Sequence, residues 1–281
     1  MTRTAAVSAR LRLVHPFPSL LNGVAVFLMA SIAGGTVATA VRLGLGMLFI
    51  QFAIGTLNDL MDAPRDAARI PVKPIPARLV GVMAARRLAV GAALGGLLFA
   101  SPSGPLTVVI AAVGLGLGVA YDLGLSRTSI SWLPLAFALP LVPVYAWYGA
   151  IGRVPAEILA VVPVAILAGA GLAAGNALVD IDADETTGRR TVAVALGRPG
   201  AWATHAGLLL GSMVLAVVLR PSGGGLAAER LVVSGVGATL AGVALLWWAR
   251  GVGRRIAWGL EAIGIATIGI GWVLGAGAIG S

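Results

Sequence analysis

Apolar residues in this chain run in long blocks, and polar residues collect between the blocks instead of alternating within them. The stretches 88–100, 105–121, 130–151, 157–179, 201–219, 231–249 and 256–280 are nearly free of charge. A helix needs about 17–25 residues to cross a hydrocarbon core, and each block is near or within that length. The pattern predicts an all-α polytopic membrane protein with nine transmembrane helices. They are placed at about 17–36, 40–58, 88–102, 105–121, 130–150, 157–178, 201–219, 231–249 and 256–279. "SPSG" at 101–104 supplies a tight turn between the third and fourth. The expected arrangement is one domain over 1–281, a bundle with a cytoplasmic polar cap.

Composition sharpens this reading. Only 11% of residues are charged and 58% are hydrophobic, with a mean hydropathy of +0.97, whereas a soluble domain carries about 25% charged residues. The net charge of +9 is answered by topology, not by nucleic acid. Arg3, Arg10 and Arg12 precede the first span; Arg65, Arg69, Lys73, Arg78, Arg86 and Arg87 follow the second. Arg127, then Arg189, Arg190 and Arg198, then Arg250, Arg254 and Arg255 follow the fourth, sixth and eighth. Only Arg42, Arg153, Arg220 and Arg230 fall on the other side. That bias predicts the N-terminus and the even-numbered loops in the cytoplasm and the C-terminus outside, in a bacterial-type plasma membrane. The first twenty residues lack an early apolar core and a small-residue cleavage site, predicting no signal peptide. Cysteine is absent, which excludes disulfides and thiolate metal sites.

Against this background the acids stand out. Seven of the eleven fall in "NDLMDAPRD" (58–66) and "NALVDIDADE" (176–185). Both windows fit N-x-x-x-D-x-x-x-D at an offset of 118 residues: Asn58 with Asn176, Asp62 with Asp180, Asp66 with Asp184. The repeat suggests two related four-helix halves followed by one more helix. Residues at i, i+4 and i+8 share a helix face, so Asn176, Asp180 and Asp184 are expected to look one way. Pro64 is expected to kink or end the first helix, leaving Asp66 just past the break. A charge near mid-membrane costs about 2.5–3.5 kcal/mol, and clustered like charges need a cation. Oxygen ligands without Cys or a nearby His suit a hard ion, Mg²⁺ first, held together with substrate phosphates. Arg69, Lys73, Arg127, Arg189 and Arg190, with Tyr121 in "YDLGLSRTS", are candidates to receive such a polyphosphate.

The two motifs, with "KPIP" after the first and "DIDADETTGRRT" containing the second, resemble the UbiA family of intramembrane prenyltransferases along essentially the whole chain. That resemblance implies an all-α bundle open to lipid and an Mg²⁺-dependent transfer. An isoprenyl diphosphate would be ionised and its prenyl group passed to a small aromatic or lipophilic acceptor. It places Asn58, Asp62, Asp66, Asp180 and Asp184 on the metal and Lys73 on the diphosphate, with Arg69 and Arg127 as looser placements. Asp62, Asp66, Asp180, Asp184 and Lys73 then form the catalytic set. The family often carries an adjacent basic pair after the fourth span, where this chain has Ser126-Arg127. A terpene cyclase would use the same ionising site, and a lipid-diphosphate transporter or binding protein is the reading without chemistry. Against the transporter, the acids gather toward one face, and no span is expected to carry an ionisable residue near its middle. His15 and His205 are expected to be structural or interfacial, and the tryptophans to lie near span ends.

Overall fold

The computed structural model describes residues 11–67, 72–221 and 223–277, and every element among them is helical. In chain order these are α1 (Pro16–Ile32), α2 (Val37–Asp66), α3 (Val82–Ala100), α4 (Pro105–Leu123), α5 (Leu133–Ala138) and α6 (Leu141–Ile151). Then come α7 (Ala156–Leu159), α8 (Val161–Val179), α9 (Ile181–Thr186), α10 (Val192–Val218), α11 (Gly225–Trp248) and α12 (Val252–Gly277). The pairs α5–α6 and α7–α8 each act as one apolar rod, Leu133–Ile151 and Ala156–Val179.

Eight helices among the described residues are long and apolar enough to cross a membrane. The remaining apolar helix is α1, of 17 residues. Several rods begin earlier than hydropathy alone indicated, because Arg86, Arg87, Arg198 and Glu229 ride on helix ends. In α10 the true rod starts after Gly197, whose φ of 65° breaks the helix ahead of Pro199. Side chains of Val90, Leu94 and Leu98 form an exposed stripe on α3, a surface suited to lipid and not to water.

Helices approach closely where both partners are glycine. A Cβ at Gly235 or at Gly264 would each lie 2.7 Å from the other's carbonyl oxygen, which sets the contact of α11 with α12. The core draws Tyr145, Trp147 and Trp272 inward, nearly fully buried, so these aromatics pack the bundle and do not belt its ends. The rod Ala156–Val179 is the most enclosed, 61% buried over its apolar window against 17% for Val82–Ser103 and Pro105–Leu123. The second acid motif therefore hangs from the centre of the bundle.

Candidate active site

The first motif ends α2. Despite Pro64 the helix does not end there but continues through Asp66, so Asp66 belongs to the helix and does not lie past a break. Proline already has a helical φ, and the one hydrogen bond it removes lies in the last turns, where few bonds follow. Asp66 is buried and pairs with Lys73 Nζ at 2.8 Å. The same ammonium donates to Asp59 Oδ1 at 2.8 Å, and His15 Nε2 donates to that oxygen at 3.1 Å. Gly55 makes room for the imidazole, since a Cβ there would meet its ring at 3.1 Å. Beneath this charge cluster Leu13, Ile75, Val80 and Ala85 form a small apolar core against Leu60 and Ala63. It holds the N-terminal strap and the 72–81 loop over the end of α2. Burial by itself would lower the Lys73 pKa, but Asp59 foremost, with Asp66, outweighs it and raises the value.

The second motif behaves in the opposite way. Asp180, with φ −103° and ψ 8°, ends α8 and starts α9. Its carbonyl accepts from the amides of Ala183 and Asp184, so the chain turns and re-forms a short helix. Asn176, Asp180 and Asp184 consequently do not share one straight face, contrary to the spacing argument. Gly188, at φ 68°, then reverses the chain so that Arg189 faces back toward Asp184, accepting geometry that favours glycine.

Those two ends meet. Arg189 Nη2 donates to Asp62 Oδ1 at 2.6 Å, and its Nη1 lies 3.5 Å from Asp184 Oδ1. Asp62 is also approached by Arg65 at 3.3 Å and Arg127 at 3.6 Å. Burial by itself would lower the Arg189 pKa, but the hydrogen bond and charge of Asp62, followed by the charge of Asp184, outweigh it and raise the value. The amide of Arg190 donates to the Arg127 carbonyl at 3.2 Å, tying the two basic loops together. Arg65, Arg127, Arg189 and Arg190, with Thr128, Ser129, Thr187 and Gly188, line a cavity of about 400 Å³. Tyr121 stands next to Asp122 at the end of α4. Arg69 lies outside the described residues.

One acid at this site went unread in the sequence. Asp122, next to Tyr121, is buried; its Oδ1 accepts from Asn58 Nδ2 at 2.9 Å. Its Oδ2 is buried without a hydrogen-bond partner among the described residues. A rare acid at a span end, inside "YDLGLSR", was the available signal. His15, expected to be structural or interfacial, joins this site through a partner 44 residues away in sequence.

Among the described residues no three acidic or histidine side chains stand together as a ready metal cage; basic side chains lie between the carboxylates. The donors nevertheless fit a hard cation. They are all oxygen, they come from both motifs, and Asp122 contributes a buried oxygen that lacks a donor.

The description of the UbiA prenyltransferase family matches residues 19–278. A digeranylgeranylglyceryl phosphate synthase of Methanoculleus marisnigri is 25% identical over 195 residues, 68% of this chain and 70% of that protein. Among solved structures, a UbiA homologue from Archaeoglobus fulgidus bound to GPP and Mg²⁺ superposes with a TM-score of 0.70. It is 17% identical, covering 92% of this chain and 99% of its own. An apo UbiA homologue from Aeropyrum pernix gives 0.69 at 18% identity, covering 93% and 96%. At these identities the structures share the fold.

Proposed function

The chain belongs to the UbiA prenyltransferase family and is an integral membrane prenyl transferase; from that premise we propose a magnesium-dependent enzyme that ionises an allylic isoprenyl diphosphate. The prenyl group passes to a small aromatic or lipophilic acceptor. The observation that carries this reading is Arg189, bound at once to Asp62 of the first motif and Asp184 of the second.

Asn58, Asp62, Asp66, Asp180 and Asp184 would hold Mg²⁺, with Asp122 beside them. The metal, when bound, supplies Lewis-acid neutralisation of the charge that develops on the diphosphate. Acids and bases of this site now neutralise one another. A magnesium diphosphate offers each half of that set a partner of opposite sign. Lys73, Arg127, Arg189 and Arg190 would turn to the phosphoryl oxygens, stabilising the leaving group as the allylic C–O bond breaks. Tyr121, next to Asp122 at the end of α4, would help orient the second motif. The apolar bundle beneath keeps water from the allylic carbon until the acceptor attacks. The cytoplasmic placement of this mouth rests on the bias of basic loops, and nine crossings follow if α1 also spans.

A phosphate-bearing acceptor is a second reading. The cavity with four arginines supports it, as does the likeness to a digeranylgeranylglyceryl phosphate synthase.

The test is incubation of the purified protein with farnesyl or geranylgeranyl diphosphate, with and without Mg²⁺. Magnesium-dependent diphosphate release is expected. Product mass with glycerol-phosphate or aromatic acceptors separates the two readings and exposes a cyclase. No release with any chain length or acceptor would overturn the proposal in favour of a carrier.

A further inference from the structure

Two ionisable residues sit inside the bundle, where the sequence reading expected none. His205, in the middle third of α10, and Glu261 of α12 are both fully buried. His205 Nδ1 lies 2.8 Å from the Gly171 carbonyl oxygen, and Nε2 lies 3.1 Å from Glu261 Oε1. A carbonyl only accepts, so Nδ1 carries a proton. The Nε2–Oε1 contact then shares one further proton. It is either a carboxylic acid donating to neutral imidazole or an imidazolium donating to carboxylate, and the pair is neutral overall in both forms.

The neighbouring helices are shaped around this pair. A Cβ at Gly175 would lie 2.7 Å from His205 Cε1, and one at Gly242 would lie 2.5 Å from Glu261 Cγ. Apolar residues of similar volume would pack here without desolvating polar groups, so packing alone does not account for the pair. Its attachment points do. The Gly171 carbonyl takes the His205 bond, and the next carbonyl, Leu172, accepts from Trp258 Nε1 at 2.9 Å. In an α-helix those two carbonyls are the i−4 acceptors for the amides of Gly175 and Asn176. The anchors therefore seize the turn of α8 immediately before Asn176 and Asp180, from the side facing α10 and α12.

We propose that His205 and Glu261, with Trp258, form a positioning device that fixes the height and rotation of α8, and hence the aim of Asn176 and Asp180. The inference rests on the reading of those residues as ligands of the diphosphate cluster. Its test also has a readout that needs no activity. Amide hydrogen exchange is followed in detergent micelles over residues 175–181 and, as the internal control, 56–66.

Glu261→Leu and Trp258→Phe are expected to accelerate exchange at 175–181 and to leave 56–66 unchanged. Glu261→Gln, whose carboxamide still donates to Nε2, should match the parent protein. In turnover, the Mg²⁺ concentration for half-maximal rate and the KM for diphosphate should rise roughly 10- to 100-fold in Glu261→Leu, as losses of ligand-orienting partners do. Changes in kcat should be smaller, and Glu261→Gln should restore both. Unchanged exchange at 175–181, equal loosening of both segments, or a Glu261→Gln protein that behaves like Glu261→Leu would overturn the proposal. Should Glu261→Leu not fold, Trp258→Phe decides alone: parental exchange at 175–181 overturns it. A parent protein that releases no diphosphate defeats the enzymatic reading, while the exchange comparison still judges the positioning one.

Discussion

The two acid motifs share a spacing and differ in almost everything that surrounds it. The first contains a proline and stays helical to its last aspartate; the second contains none and breaks at its first aspartate, Asp180. Helix continuity here follows the surroundings of each end. Asp66 is drawn down by Lys73 within a capped, locally packed corner. Asp180 instead closes the central rod, and the chain must turn there for Arg189 to reach Asp62 across the mouth. The first motif is thus a fixed wall, and the second is aimed by its loop and by what braces α8.

If both motifs serve one cluster, removing an acid from either should be equally damaging. Asp62→Ala and Asp180→Ala are each expected to cut diphosphate release by at least roughly 10²–10³-fold, as deletion of one electrostatic stabiliser does, with the proteins still inserted and folded. A Asp180→Ala protein with full activity would break the equivalence. Arg189 tests the junction itself. Arg189→Lys should lose roughly tenfold or more in kcat/KM, because a compact ammonium lacks the two separated donor nitrogens with which the guanidinium fork reaches Asp62 and Asp184 from opposite sides of the mouth. A lysine variant with parental kinetics would show that the bridge is incidental.

What the sequence disclosed and what it withheld divide along the same line. Charge scarcity exposed the spans, and spacing exposed Asn58, Asp62, Asp66, Asp180 and Asp184, because periodicity is local information. The turn at Asp180 had no Gly or Pro to announce it. Asp122 belongs to no repeat, and its bond to Asn58 joins residues 64 apart. The pairing of His205 with Glu261 was not legible, since it joins α10 to α12, 56 positions away. Contacts between distant segments are made by the packing of rods, which hydropathy does not order.

Lys73 separates stability from chemistry in the first motif. Lys73→Met removes the cation that Asp59 and Asp66 share and should cost about 1.5–3 kcal/mol, the range for a hydrogen bond to a charged group, read as a lower melting temperature. Adding Asp59→Asn should recover part of it, because one of the two carboxylate charges is gone. The pH response has a definite sign. The folded pKa of Lys73 is raised, so its contribution is complete below the ordinary lysine value and fades only as pH climbs through the higher folded one. Melting between pH 7 and 9 should therefore show no loss from this group.

The smallest effect is expected at Pro64, and it bears most directly on why the two motifs differ. Pro64→Ala restores an amide that can bond the Leu60 carbonyl, which favours the helix. It also frees the unfolded chain, which opposes it by about 0.4–1 kcal/mol. These nearly cancel, so the melting temperature should move little and diphosphate release should stay close to parental. A large gain in stability would mean that proline strains the first motif. A large loss of activity would mean that Pro64, and not the Lys73 corner, sets the aim of Asp66.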